Sequence, residues 1–137
     1  MQEMRGFLEQ AYRIDQRINC KIEQVSALRS LASKATSTIT DMPGSPNRNV
    51  HRMEDIVLKI VDLENEINAD IDELVDLKAE IMKLIKRVES IDGRLVLEKR
   101  YLCFEKWEQI AVEMGFSTRQ VYRVHDRAIG ELEENSN

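Results

Sequence analysis

Apolar residues recur every three or four positions along most of the chain, which is the spacing of one face of an α-helix. The first such stretch runs from about Glu3 to Ile39 and the second from about Arg52 to Val88. Between them, Thr40–Asn49 contains both prolines of the chain and one glycine, which predicts a loop near residues 40–50. Because each apolar stripe must be buried, the two helices are expected to form a hairpin.

The second helix carries the more regular stripe, and its heptad-like spacing is typical of a coiled coil. At about 1.5 Å per residue this helix would be roughly 55 Å long. Its stripe is longer than that of the first helix, so the sequence predicts a homodimer formed through residues 52–88. A purely intramolecular hairpin is the alternative, and the two are compatible. The stripe, which slips near Ile71, comprises Ile56, Ile60, Leu63, Ile67, Ile71, Leu74, Leu77, Ile81, Leu84 and Val88.

The last third of the chain is predicted to form three short helices. Asp92 is the predicted N-cap of a helix from Gly93 to about Cys103. A short link leads to a helix over Lys106–Met114, and Ser117 is the predicted N-cap of a final helix from Thr118 to about Glu133.

The sequence therefore predicts an all-α fold with two regions. Residues 1–89 are expected to form the long helical hairpin or coiled coil, and residues 90–137 a three-helix domain. Few glycines and prolines (5 and 2) and few aromatic residues (5%) agree with long helices.

The last two predicted helices have the pattern of a helix-turn-helix. Ala111 supplies the small residue that lets the second helix cross the first closely, and Gly115 tolerates a positive φ in the turn. Phe116 supplies an apolar residue in the turn, and Val121 a buried β-branched residue in the second helix. This combination predicts that helix 118–132 is a recognition helix for the DNA major groove.

The outward face of this helix carries the expected DNA contacts. Arg119 and Arg123 can each donate two hydrogen bonds to a guanine edge, and Thr118 and Tyr122 add a methyl group, hydroxyls and an aromatic edge. A merely solvated charged face is the alternative. Trp107 is expected in the core and His125 partly exposed. The predicted DNA-binding residues are Ser117, Thr118, Arg119, Gln120, Tyr122, Arg123 and Arg127.

The net charge of −5 argues against nucleic-acid binding only until its distribution is considered. Met53–Glu89 has 11 acidic and 5 basic residues, a net charge of −6, whereas Ser117–Arg127 has 3 basic and 1 acidic, a net charge of +2. The chain shows no nucleophile, phosphate-loop or acid–base pattern, so an enzyme is not predicted.

No cofactor or metal site is expected. The two cysteines, Cys20 and Cys103, lie far apart, lack the spacing of metal ligands, and are interpreted as unpaired packing residues. The N-terminus lacks an apolar signal core, and no stretch approaches the ~20 apolar residues that span a bilayer. A cytoplasmic protein without membrane association is expected.

The C-terminal third resembles region 4 of bacterial sigma factors, which binds the promoter −35 element and contacts RNA polymerase. The similarity is carried by Arg94–Tyr101, Trp107–Ala111, Met114–Ser117 and Val121–Ile129. The whole chain resembles a phage and prophage family of Gram-positive bacteria related to the ArpU- and RinA-like regulators of phage late genes. The matching residues are Met42–Arg48, Arg100, Tyr101, Trp107, Ile110, Ala111, Gly115, Ser117, Val121 and His125.

The resemblance implies a phage late-gene activator that binds double-stranded DNA, with host RNA polymerase as a further partner. Two other functions are left open. A small-terminase-like packaging factor also joins a helix-turn-helix to an oligomerising helical region, and a coiled-coil adaptor would bind no DNA. The operator sequence, and activation as opposed to repression, are not encoded in these patterns.

Overall fold

The computed structural model describes the backbone of residues 2–41 and 46–135, and the side chains of residues 3–36 and 50–135. Within these ranges the fold is all-α, with no strand, and no helix is long and apolar enough to cross a membrane. A π-helical turn over Glu98–Leu102 extends the third helix. The five α-helices are α1 (Gln2–Asp41), α2 (Pro46–Ile85), α3 (Ile91–Leu97), α4 (Trp107–Met114) and α5 (Thr118–Asn135).

The break between the long helices is shorter than the sequence predicted. α1 continues through Asp41 and α2 already begins at Pro46. The predicted loop was therefore wrong for residues 40–41 and 46–49, which are helical. Proline is well tolerated in the first turn of a helix, because its missing N–H would have no partner there. Pro43 and Gly44, on which the prediction also relied, lie outside the described residues.

The chain divides into two compact units. One, called here the hairpin unit, comprises Asp15–Asp72, and the other, called the C-terminal unit, comprises Met1–Ile14 and Glu73–Asn137. α1 and α2 each contribute residues to both units.

In the hairpin unit, α1 and α2 are antiparallel, as predicted. Arg17 of α1 pairs with Asp70 of α2 at 3.0 Å, and Arg29 pairs with Glu64 at 2.8 Å. Residue numbers thus rise along one helix while they fall along the other.

The buried line of α2 shifts at the position where the sequence pattern slipped. Ile71, predicted to lie in the stripe, is 41% exposed, whereas Asp70 is buried. Arg17 and Lys21 of α1 donate to the two carboxylate oxygens of Asp70, at 3.0 and 2.7 Å. The bonds from Lys21 and then Arg17 lower the pKa of Asp70. The buried line of α2 therefore includes a charged residue, Asp70, in place of the neighbouring Ile71 that the pattern predicted.

The core of the C-terminal unit includes residues on both sides of the predicted boundary between residues 89 and 90. The first turns of α1 contribute Leu8 and Ala11, which are fully buried with the apolar face of α5. The compact unit that contains the three short helices therefore begins well before Ser90. The core cluster consists of Leu8, Ala11, Ile81, Ile85, Val88, Leu97, Tyr101, Ala128, Ile129 and Leu132.

α3 begins two residues earlier than predicted. Ser90, not Asp92, is its N-cap, because the Ser90 hydroxyl accepts a hydrogen bond from the Gly93 N–H at 3.1 Å. Gly93 is buried, and a Cβ atom there would lie 3.1 Å from Val88 and 3.3 Å from Ala128. The glycine therefore permits the close approach of α3 to α5.

Both cysteines, Cys20 and Cys103, are free and exposed. The prediction that they are packing residues was wrong. Cys20 lies on α1 away from its buried line, and Cys103 directly follows the π-helical turn.

Candidate DNA-binding interface

The turn between α4 and α5 depends on Gly115. Gly115 has φ 68° and ψ 29°, the left-handed conformation that was predicted for it. The Phe116 N–H reaches back to the Ala111 carbonyl at 2.9 Å, which closes the last turn of α4 as a Schellman motif. This geometry sets the direction in which α5 leaves the turn.

Replacing Gly115 tests how much the turn depends on this backbone conformation. Because no heavy atom lies within 4 Å of a Cβ built there, only the positive φ opposes a side chain. Gly115→Val should lower the free energy of unfolding by about 1–2 kcal/mol or more, whereas Gly115→Asn should cost less, since asparagine tolerates this region. Urea denaturation of both variants measures the difference, and equal losses would contradict the backbone explanation.

α5 begins with a reciprocal capping box. The Gln120 N–H donates to the Ser117 hydroxyl at 3.2 Å, and the Ser117 N–H donates to the Gln120 side-chain carbonyl at 2.9 Å. Ser117 is therefore the N-cap, as predicted. Both residues were also predicted to contact DNA, and both are exposed, but each uses a side-chain oxygen to fix the start of α5. Their first role is to position the helix.

The inner faces of α4 and α5 form a second, smaller core. Ile110 and Val121 are fully buried, Ala111 is nearly so, and Val96 of α3 completes the cluster. Trp107, predicted to be a core residue, is partly buried against this cluster, as are Met114, Phe116 and Val124. The small Ala111 and the buried Val121 thus lie at the helix crossing, as the helix-turn-helix pattern predicted.

The predicted contact residues of α5 share one exposed face near its N-terminus. Thr118, Arg119, Tyr122 and Arg123 are all exposed, and Arg127 is exposed one turn further along. Arg119, Arg123 and Arg127 lie opposite the buried line of α5, whereas Thr118 and Tyr122 flank that line.

The three arginines of this face are available to an external anion. Among the residues that the structure describes, none forms an ion pair with Arg119, Arg123 or Arg127, whereas Arg5, Arg17 and Arg29 each pair with a carboxylate of their own chain.

One polar residue of this face was missed by sequence reasoning. Asp126 lies three residues after Arg123 and is exposed, so it falls on the same face as Arg119 and Arg123. Its carboxylate accepts a hydrogen bond from His125 Nδ1 at 3.0 Å. The available signal was its spacing, three residues after Arg123 and seven after Arg119. A carboxylate there can accept from the N4 amino group of a cytosine.

Aromatic contacts hold the exposed Tyr122 in place. Its ring lies 5.1 Å from that of Trp107, centroid to centroid, and the Arg100 guanidinium lies 4.5 Å from the centroid of the same indole ring. Tyr122 is still 44% exposed. A large side chain on the outer face of α5 is therefore restrained by α4 without being buried.

His125 is an internal anchor of α5, and the expectation that it is partly exposed was wrong. It is 1% exposed, and its Nε2 lies 2.6 Å from the hydroxyl of Tyr101 in the π-helical turn. Burial lowers the pKa of His125 below its ordinary value of 6.5, and burial raises the pKa of Tyr101 to about 12. The neutral tautomer that satisfies both neighbours accepts from Tyr101 at Nε2 and donates to Asp126 from Nδ1.

This buried imidazole predicts an acid-sensitive fold. In the unfolded chain His125 takes up a proton as pH falls through about 6.5, whereas in the folded chain its lowered pKa delays protonation, so stability is lost as pH falls below about 6.5. Melting temperatures measured between about pH 7.5 and 5.5 should fall for the parent and fall less for His125→Gln. Parallel declines in the two proteins would contradict a role for this histidine.

Comparison with known proteins identifies one family. The family model described as "Protein of unknown function (DUF1492)" matches residues 31–133, which comprise the C-terminal quarter of α1, all of α2 to α4 and most of α5. No curated protein and no solved structure matches the chain.

Proposed function

We propose that this protein, which belongs to the DUF1492 family, is a sequence-specific DNA-binding transcription regulator. The observation that carries the proposal is the exposed face of α5, where Arg119 and Arg123 have no ion-pair partner among the described residues. This face lies at the start of the second helix of a helix-turn-helix, which is where such helices contact base edges.

The geometry of α5 suits reading of adjacent base pairs. A major groove about 12 Å wide admits one α-helix. Arg119 and Arg123 are one turn apart, a rise of about 6 Å along the helix, which is close to two base-pair steps of about 3.4 Å. Each guanidinium can donate two hydrogen bonds to guanine O6 and N7. Arg127 and the Gln120 amide lie on the flanks, where phosphates are contacted.

The charge distribution supports a site confined to this face. In the hairpin unit, residues 50–72 of α2 have seven acidic and two basic residues, whereas Ser117–Arg127 has three basic and one acidic. The acidic residues of α2 are therefore far in sequence from Arg119 and Arg123, and three of the four acidic residues of α5, Glu131, Glu133 and Glu134, follow its last arginine. A binding site of only a few cations predicts modest non-specific affinity.

The resemblance to phage late-gene regulators and to sigma region 4 supplies the biological context of the proposal. We place the protein as an activator of phage late genes, with host RNA polymerase as its second macromolecular partner. A promoter fused to a reporter gene in a Gram-positive host, with and without the protein, separates activation from repression by the sign of the change.

Selection from a random duplex DNA library tests the proposal, since the operator is unknown. The full-length chain should enrich a motif with neighbouring guanines, and its affinity should fall with salt by a log–log slope of about −0.9 for each phosphate contacted. Failure to enrich any motif would overturn sequence-specific recognition, and the absence of salt-sensitive binding to any duplex would favour an adaptor that binds no DNA.

A further inference from the structure

An apolar stripe on α2 is left uncovered by α1 within the hairpin unit. Val50, Val57, Val61 and Ile71 are between 41% and 49% exposed. Their spacing of seven, four and ten residues keeps them on one edge of α2, beside the line of residues that faces α1. Asn68, seven residues after Val61, lies on the same line, at a position where a polar residue sets the register of helix pairing. Regular apolar exposure of this kind marks an interaction surface.

Next to this stripe, α1 offers a groove of small side chains. The Arg29–Glu64 ion pair links the two helices along this edge, so the stripe and the groove belong to one face of the hairpin unit. The serines leave room for larger side chains from another helix. The groove, of about 340 Å³, is lined by Ile22, Val25, Ser26, Arg29, Ser30 and Ser33.

We propose that this face binds a second copy of the same chain, with the α2 stripe of each copy seated in the α1 serine groove of the other. Residues that pair across the hairpin, such as Arg29 with Glu64, have numbers that add to about 90. A two-fold axis parallel to the helices leaves every residue of the second copy at the same height along the bundle, so the same sum of about 90 applies between the copies. It therefore sets Val61 beside Ser30 of the second copy.

The charges of the two helices favour this arrangement. Residues 15–36 of α1 have four basic and two acidic side chains, a net charge of +2, and residues 50–72 of α2 have a net charge of −5. Seating α2 on the other copy's α1 brings opposite charges together, whereas seating α2 on the other copy's α2 would oppose two negative helices. The face is thus self-complementary in charge, because α2 of each copy lies against α1 of the other in the resulting four-helix bundle.

The size of the face is also adequate for a dimer. About 22 residues of each helix, at about 1.5 Å per residue, make a face roughly 33 Å long. Two helices side by side make it roughly 20 Å wide, so dimerisation would bury about 660 Å² per chain and about 1,300 Å² in total. That area is at the lower end of stable interfaces, so we expect dimerisation in the micromolar range and not a permanent assembly.

Sedimentation equilibrium of the full-length chain at tens of micromolar tests the surface. The parent should have the mass of two chains and Val61→Lys the mass of one. Leu31→Lys is the matched control, because Leu31 is half exposed on the side of α1 away from Ser26 and Ser33, and it should stay dimeric. A monomeric parent, or a Val61→Lys variant that stays dimeric, would overturn the proposal. No DNA is present, so the outcome is independent of the proposed DNA-binding function.

Disulfide trapping tests the arrangement of the two copies. Cys20 and Cys103 are exposed and are first replaced by serine. A mixture of Val61→Cys chains and Ser30→Cys chains should then form a mixed disulfide dimer on oxidation, while Val61→Cys chains alone should not. Efficient self-coupling of Val61→Cys would show that α2 pairs with α2 and would overturn the seating of stripe in groove.

Discussion

A fragment that starts at Ser90 should fail to fold, although it contains the whole helix-turn-helix. The core of the C-terminal unit is completed by Leu8 of α1 and by Ile81, Ile85 and Val88, none of which the fragment contains. Burial of each such side chain stabilises a fold by about 1.5–3 kcal/mol, so roughly 6–12 kcal/mol would be lost from a total that is typically about 5–15 kcal/mol.

Circular dichroism and amide NMR spectra of the Ser90–Asn137 fragment measure this directly. We expect low helicity, narrow amide dispersion and no cooperative melting transition, and consequently weak DNA binding by the fragment. A dispersed spectrum with a cooperative transition would show that α3, α4 and α5 are a self-sufficient domain. Because the fragment is expected to be unfolded, DNA binding should be measured on the full-length chain.

The same dependence can be tested by a single substitution within the full chain. Leu8→Ala should cost about 2–5 kcal/mol, because Leu8 is fully buried, whereas Leu31→Ala in the same helix should change stability by about 0.5 kcal/mol or less, because Leu31 is half exposed. Trp107, the one tryptophan of the chain, lies in α4 and reports unfolding of the helix-turn-helix by its fluorescence. Equal stability of the two variants would contradict the shared core.

The helix-turn-helix could be predicted from the sequence because its determinants act over a few residues. Gly115 can adopt a positive φ because glycine lacks a Cβ atom, and Ser117 and Gln120 cap α5 within a single turn. The apolar spacing of α5 likewise fixes which side chains are exposed once the helix exists. For these reasons the exposed face with Arg119 and Arg123 could be assigned before any tertiary contact was known.

Features that depend on distant contacts could not be predicted in the same way. Periodicity shows that the Leu8 face of α1 is buried, but not that it is buried against α5. Asp70 is buried because Arg17 and Lys21 lie opposite on another helix, and His125 is buried because Tyr101, 24 residues away, satisfies its imidazole. A polar residue is expected at the surface until a specific partner is known.

Removing the two central arginines of α5 should have the largest effect on DNA binding. Arg119 and Arg123 are exposed, and no described residue pairs with either, so Arg119→Ala/Arg123→Ala should leave the fold and its melting temperature essentially unchanged. Each lost bidentate contact should cost about 1–3 kcal/mol, or about 5- to 150-fold in Kd, and should relax sequence preference at the base pair it reads.

A matched control separates base reading from loss of charge. Arg52→Ala/Lys59→Ala also removes two exposed positive charges, but from α2, and should leave the affinity for the selected motif nearly unchanged. Arg127→Ala should instead weaken binding to all duplexes alike and reduce the salt slope by about 1, as loss of a phosphate contact does. Fluorescence anisotropy with the selected motif and with a scrambled duplex, at several salt concentrations, distinguishes the three cases. If the α5 double variant binds the motif as the parent does, the recognition face lies elsewhere on the molecule.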